Sequence, residues 1–140
     1  QWSAAAGLLC EECIEGREVT VGILDGKALP VVEILPKEGT FDYHNKYTVG
    51  ATDYVCPAEL PTETAEAICR LSERAFAVLG GRDFGRVDLM LDADLNPFVL
   101  EVNTLPGMTG TSLLPMAAAA AGLDFPSLCQ RMVDLALEQN

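Results

Sequence analysis

Residues 84–109, FGRVDLMLDADLNPFVLEVNTLPGMT, bring oxygen donors and a guanidinium into a short span. Gly85–Leu91 and Phe98–Val102 are rich in β-branched and aliphatic residues, and Asp92–Pro97 between them is a cluster of turn-formers. An antiparallel hairpin that pairs Leu91 with Phe98 sets Val87 against Val102 and Leu89 against Leu100, making one face apolar. The other face carries Arg86, Asp88 and Met90 against Asn103, Glu101 and Val99, with Asp88 directly opposite Glu101. Like charges facing each other across a sheet are destabilising unless something neutralises them. A hard divalent cation does so, and Asp, Glu and Asn oxygens are what Mg²⁺ accepts. Arg86, on the same face, adds a planar donor suited to phosphate. Two readings follow: a Mg²⁺–nucleotide phosphate site, or a solvated sheet face whose charges are incidental.

The elements that must hold this hairpin can be read along the chain. Gln1–Gly7 is small and Ala-rich and, without an initiator Met, reads as a truncated lead-in. Leu8–Cys10 enters a first strand, Glu11–Gly16 is a charged crossing, and Val19–Leu24 is a second strand. Asp25-Gly26 is a two-residue hairpin signal, and Ala28–Leu35 supplies a third strand, so an antiparallel meander is expected. Pro36–Pro57 shows no periodicity, and a loop of that length inside a compact domain tends to be functional. Its His44-Asn45-Lys46-Tyr47 centre sets a cation beside an aromatic.

Thr62–Leu79 has apolar residues at helical spacing, with Thr62 and Glu63 suited to its start and Gly80-Gly81 to its stop. Ser112 is placed to cap a helix over Leu113–Ala121, closed by Gly122. Asp124 can cap a last helix, Phe125–Gln139, with Phe125, Leu128, Met132 and Leu135 on one face. The expected class is α+β, a largely antiparallel sheet with flanking helices.

A net charge of -12 with 9 Lys+Arg argues against an electrostatic nucleic-acid binder. The five cysteines (Cys10, Cys13, Cys56, Cys69, Cys129) are odd in number and irregularly spaced. Cys10-Glu-Glu-Cys13 has no second pair at zinc-site spacing, and free cytosolic thiols are expected. No signal peptide and no apolar run near the ~20 residues of a membrane span is visible. The expected place is the cytoplasm, without membrane or nucleic-acid partners. P-loop and Rossmann glycine patterns are both absent, so any nucleotide must be held by another device.

Gly85-Arg86-Val87-Asp88, then Leu100-Glu101-Val102-Asn103-Thr104-Leu105-Pro106-Gly107-Met108-Thr109 and Ser112-Leu113, resembles the C-terminal signature of D-alanine–D-alanine ligases of the ATP-grasp superfamily. Glu18-Val19-Thr20-Val21 and Lys46-Tyr47 also match, and the likeness runs from about Leu8 to the end. It implies ATP-dependent joining of two D-alanines through an acyl phosphate, in peptidoglycan precursor synthesis. By the same resemblance, Asp88, Glu101 and Asn103 are ligands of two Mg²⁺ (or Mn²⁺) ions, with Glu101 bridging both. Arg86 holds the transferring phosphate, and the Gly107 N–H serves the tetrahedral intermediate. Ser112 and Leu113 receive the carboxylate of the second D-alanine.

Glu11, Glu12 and Ile14 lie where the family places adenine, and Glu18 where it binds ribose hydroxyls. A lysine is common where this chain has Glu12, a position that meets adenine through its backbone. Lys46 and Tyr47 fall in a loop that closes over the site. The family's N-terminal substrate domain and the first part of its ATP-grasp domain have no counterpart in the 140 residues, so the chain reads as a C-terminal portion, inactive alone, of a protein expected to be a homodimer. Two other readings stand beside this one: a ligase that joins D-alanine to D-lactate, and a non-catalytic nucleotide-binding module.

Overall fold

The computed structural model describes residues 10–36 and 52–138. Strands β1 (Arg17–Leu24), β2 (Lys27–Ala28), β3 (Val32–Pro36), β4 (Thr52–Val55), β5 (Phe84–Leu91) and β6 (Pro97–Asn103) form one antiparallel sheet. Helices α1 (Thr62–Val78), α2 (Leu113–Ala120) and α3 (Phe125–Leu137) complete the described elements. The strand order is β4-β3-β1-β5-β6, with β2 also pairing β1.

Alternation along β1 divides the molecule. Val19, Val21 and Ile23 point to one side, with Val87, Leu89 and Leu91 of β5, and pack on Ile68 and Phe76 of α1. Directly opposite residues share a face, so Glu18, Thr20 and Gly22 stand beside Met90, Asp88 and Arg86 on the other side. Part of that second face is roofed by α2 and α3. Leu113 and Ala117 pack on Val32 and Ile34, and Ala118, Leu128 and Leu135 cluster with Leu24. Gly22 makes this roof possible. A Cβ there would lie 2.8 Å from Leu114 Cδ1 and 3.1 Å from Leu29 Cδ1, so the helix rests on bare backbone.

Several expectations need correction. Cys10 lies in irregular chain rather than in a strand, and Leu8 and Leu9 fall outside the described residues. The third strand is broken: Ala28 pairs with Ile23 but Val32 with Thr20, so one residue more lies on this side than on β1. Pro30, which has no N–H to give a ladder, sits in the break. The meander is therefore β1–β3–β4. Its last strand, Thr52–Val55, belongs to the stretch expected to be loop.

Helix α1 ends one residue early. Gly80 (φ 73°) donates to Ala77 and Gly81 to Phe76, at 3.0 and 2.9 Å, the paired bonds of a left-handed glycine stop. The same device ends α2 at Gly122 (φ 84°). Asp124 caps α3 by accepting from the Ser127 N–H at 2.9 Å, as expected, but the helix stops at Leu137 and Phe125 is exposed.

The hairpin register also differs from expectation in its upper half. Asp92 accepts from the backbone N–H groups of Asp94 and Asn96 and from the Asn96 side chain, closing a tight loop. Leu91 consequently pairs with Pro97 instead of Phe98. A bulge restores the expected pairing lower down, and Leu100 is the extra residue: Leu89 faces Val99, then Asp88 faces Glu101.

Gly16 lets the crossing segment reach the sheet. A Cβ there would fall 1.8 Å from the Leu91 carbonyl oxygen, a backbone atom that cannot turn away. Gly16→Ala should therefore lower the unfolding free energy by about 1–3 kcal/mol, the usual cost of forced overpacking. Urea unfolding checks this, and an unchanged midpoint would show that the crossing adjusts freely.

Candidate active site on the open sheet face

Asp88 and Arg86 are neighbours on one face of β5 and are 8% and 4% exposed, low values for two charged groups. They are stable there because they are paired. Arg86 Nε donates to Asp88 Oδ1 and Nη2 to Oδ2, both at 2.7 Å, a parallel two-bond fork. From the adjacent strand the buried Thr20 hydroxyl donates to Asp88 Oδ1 at 2.5 Å. Burial by itself raises the Asp88 pKa, but the Arg86 guanidinium and the Thr20 hydroxyl outweigh it and hold the carboxyl below its ordinary value. Burial likewise opposes the charge on Arg86, and Asp88, Glu101 and Glu18 overcome it, carrying that pKa above its usual value.

Glu101 is exposed and directly opposite Asp88, and half-buried Asn103 is directly opposite Arg86. Asn103 Oδ1 accepts from the Leu105 N–H at 3.0 Å, which fixes the amide and leaves a second lone pair on its oxygen. The face thus presents two carboxylates and an amide oxygen, all hard donors. Among the described residues, no group of three or more His, Cys, Asp or Glu side chains suited to a metal is found. Such a set fits Mg²⁺, which binds one or two carboxylates and fills its octahedron with phosphate oxygens and water. It does not resemble a closed protein cage.

Beyond β6 the chain returns to this face. A Cβ on Gly107 would lie 2.7 Å from Ser112 Oγ, so these two expected site residues are in close contact. Ser112 occupies the N-cap of α2 but does not cap it with its side chain. Its Oγ accepts from the Thr109 N–H at 3.0 Å and lies 2.9 Å from Thr109 Oγ1. The first N–H groups of α2 are therefore without a side-chain cap, an arrangement that favours an anion.

Toward the other end of the face, Ile14, Glu18, Ile34, Met90 and Leu100 contribute to a cleft of about 430 Å³. Ile14 and Glu18 are thus brought together, whereas Glu11 and Glu12 are exposed on the crossing and do not line the cleft. Lys46 and Tyr47 lie outside the described residues. Sequence reasoning missed Thr20, because its partner is 68 positions away and strand order is not written in either segment. It missed Leu100 in the cleft because strict alternation put that side chain on the opposite face. A second cavity, of about 350 Å³ behind the sheet between α1 and Pro30–Val31, holds none of the expected site residues. All five cysteines are free, Cys10 and Cys13 being exposed. No helix among the described residues is long and apolar enough to cross a membrane.

An antiparallel sheet backed by one helix and part-roofed by two more matches the C-terminal domain of ATP-grasp ligases. The family model described as "D-ala D-ala ligase C-terminus" matches residues 3–134. A D-alanine–D-alanine ligase of Methylacidiphilum infernorum is 55% identical over 128 residues, covering 91% of this chain and 42% of that protein. One of Pelotomaculum thermopropionicum is 47% identical, covering 93% and 42%. The crystal structure of a Bacillus anthracis D-alanine–D-alanine ligase complexed with ATP superposes with a TM-score of 0.77 at 39% identity, over 91% of this chain and 42% of that one. The chain belongs to the D-alanine–D-alanine ligase family, matching its C-terminal part. It spans about 42% of the length of the curated relatives named above.

The lowered Asp88 pKa has a consequence for stability. Between about pH 4, its value in an unfolded chain, and its lower folded value, the unfolded state binds the extra proton. Stability from the pair is complete above that window and is lost as pH falls through it. Without divalent metal, Asp88→Asn should cost up to about 3–5 kcal/mol at neutral pH, since a buried guanidinium loses its counter-charge. The mutant and parent curves should then converge in acid. Urea unfolding across pH checks this, and parallel curves from neutral into acid would contradict the pairing.

Proposed function

We propose that the full-length protein is an ATP-dependent D-alanine–D-alanine ligase and that this chain supplies its Mg-ATP and second-substrate half. The observation that carries the reading is the Asp88–Glu101 pair beside Arg86, on an open sheet face that continues into the Ile14–Glu18 cleft. In the reaction, the γ-phosphoryl of ATP passes to the carboxylate of one D-alanine, giving an acyl phosphate and ADP. The amine of a second D-alanine then attacks the acyl carbon and phosphate leaves. Such chemistry needs charge neutralised and reactants positioned, with little covalent work by the protein. The remaining substrate-binding groups, an N-terminal substrate domain and the first part of the ATP-grasp domain, would come from the rest of the protein.

Each residue has a place in this scheme. Ile14, together with Leu100 and Met90, offers adenine an apolar surface and Glu18 accepts the ribose hydroxyls, while Glu11 and Glu12 stand on the crossing outside the cleft lining, where the Glu12 backbone would have to reach the base. Asp88, Glu101 and Asn103 would hold Mg²⁺, or Mn²⁺ in its stead, with Glu101 serving two ions. Metal bound there supplies neutralisation of the triphosphate and orientation of its oxygens. Arg86 grips the transferring phosphoryl group. The Gly107 N–H donates to the oxyanion of the tetrahedral intermediate, a role typically worth roughly 2.7–4 kcal/mol. Ser112, Leu113 and the side-chain-uncapped start of α2 take the carboxylate of the second D-alanine. Lys46 and Tyr47, outside the described residues, would contact the substrate as the resemblance implies. The product would enter peptidoglycan precursors, and the working enzyme would be a cytoplasmic homodimer. The named relatives favour neither a D-lactate-using ligase nor a non-catalytic module.

Glu101→Gln in the full-length protein should reduce phosphate release from ATP and D-alanine by on the order of 10²–10³-fold, several kcal/mol of lost charge stabilisation. Near-parental release would remove Glu101 from the metal site. The 140-residue chain by itself is expected to show no turnover, because catalysis by positioning fails when half of the positioning groups are missing.

A further inference from the structure

We propose that Thr20 is a positioning residue that selects which oxygen of Asp88 faces a divalent cation; this rests on the metal-site reading above. Thr20 lies directly opposite Asp88 across the β1–β5 ladder and is fully buried. Its Oγ1 is 2.5 Å from Asp88 Oδ1 and 3.1 Å from the Val87 carbonyl oxygen. One hydroxyl proton serves two acceptors, and an ionised carboxylate oxygen at the shorter distance is the stronger.

A carboxylate has about four lone-pair sites, two on each oxygen. Arg86 takes one on each through its fork, and Thr20 takes the second on Oδ1. Oδ1 is thereby saturated, while Oδ2 accepts one bond of the fork, from Arg86 Nη2, and the Asp88 carboxyl also stands within hydrogen-bond reach of Glu101, the carboxylate with which it would share a metal. Without the hydroxyl, Oδ1 would retain a buried, unsatisfied lone pair, and the carboxylate could rotate to offer either oxygen. The β-branched side chain limits rotation about χ1, so the hydroxyl is held toward its partner. Hydrogen-bond partners of metal ligands act in this way, and their loss typically costs about 10–100-fold in metal affinity or activity.

The test uses Thr20→Val, Thr20→Ser and Asp88→Asn in the full-length protein, with two readouts. One is Mn²⁺ binding to the nucleotide-free protein, followed by the electron paramagnetic resonance signal of unbound Mn²⁺. The other is the free Mg²⁺ concentration at half-maximal phosphate release under saturating ATP. Thr20→Val should weaken Mn²⁺ binding and raise the Mg²⁺ requirement about 10-fold, with the KM for D-alanine unchanged. Thr20→Ser should restore parental values, and Thr20→Val should add nothing in an Asp88→Asn background. Should Thr20→Val fail to fold, Thr20→Ala removes the same hydroxyl with less bulk and carries the same expectations. Parental metal dependence in the hydroxyl-free variant, with Asp88→Asn impaired, overturns the role of Thr20 and leaves the metal site standing. Parental Mn²⁺ binding by Asp88→Asn overturns the metal site itself.

Discussion

The forked hydrogen bond between Arg86 and Asp88, both bonds at 2.7 Å, decides where the other groups of the open face can stand. Two residues apart on one strand, the side chains share a face, and each makes the burial of the other tolerable. Isolated charges at this depth would face a desolvation penalty of several kcal/mol each. The pair therefore requires its surroundings to be built with care. Thr20 satisfies one more lone pair of the carboxylate from β1. Gly22, directly opposite Arg86, contributes no side chain, and Leu114 of α2 occupies the space above it. A larger residue at Gly22 would displace the roof that keeps this end of the face dry.

The sheet therefore has two sides with different duties. Behind it, Val19, Val21, Ile23, Val87, Leu89 and Leu91 pack against α1 and hold β1 and β5 in fixed register. In front, the alternate residues of the same strands carry the polar groups, so a one-residue slip would bury the carboxylates and expose the core. The front is also acidic: Glu18, Asp88 and Glu101 share it with Arg86, within a chain of net charge -12. A polyanion such as a nucleoside triphosphate is repelled by such a face unless cations intervene, which is the physical content of the proposed metal dependence. The local cation Arg86 is already committed to Asp88, so in the proposed site it would meet phosphate while bonded to a carboxylate instead of as an isolated charge.

Much of this was legible in local pattern. The helix beginning at Thr62 and its glycine stop followed from apolar spacing to within one residue, and Asp124 was recognisable as the cap of α3. The facing of Asp88 and Glu101, and of Arg86 and Asn103, agrees with the expected register because the bulge at Leu100 offsets the one-residue shift at the turn. The helix and its cap depend on residues a few positions apart, where backbone period fixes direction. The specific string from Glu101 to Thr109 pointed to the family, and the comparisons bear that out.

Other features were settled only by tertiary structure. Strand order brought Thr20 to Asp88 across 68 positions, and no local period encodes which strands become neighbours. The side-chain bonds of Asp92 tightened the hairpin loop, and the resulting bulge turned Leu100 into the cleft against the expectation from alternation. Pairing with β3 also extended the sheet with Thr52–Val55, a run too short to declare itself as a strand. Residue types and short spacings determined the chemistry this chain can do. The long-range ladders determined which oxygen, hydroxyl and apolar side chains meet there, because those contacts depend on the relative position of strands that sequence distance leaves open.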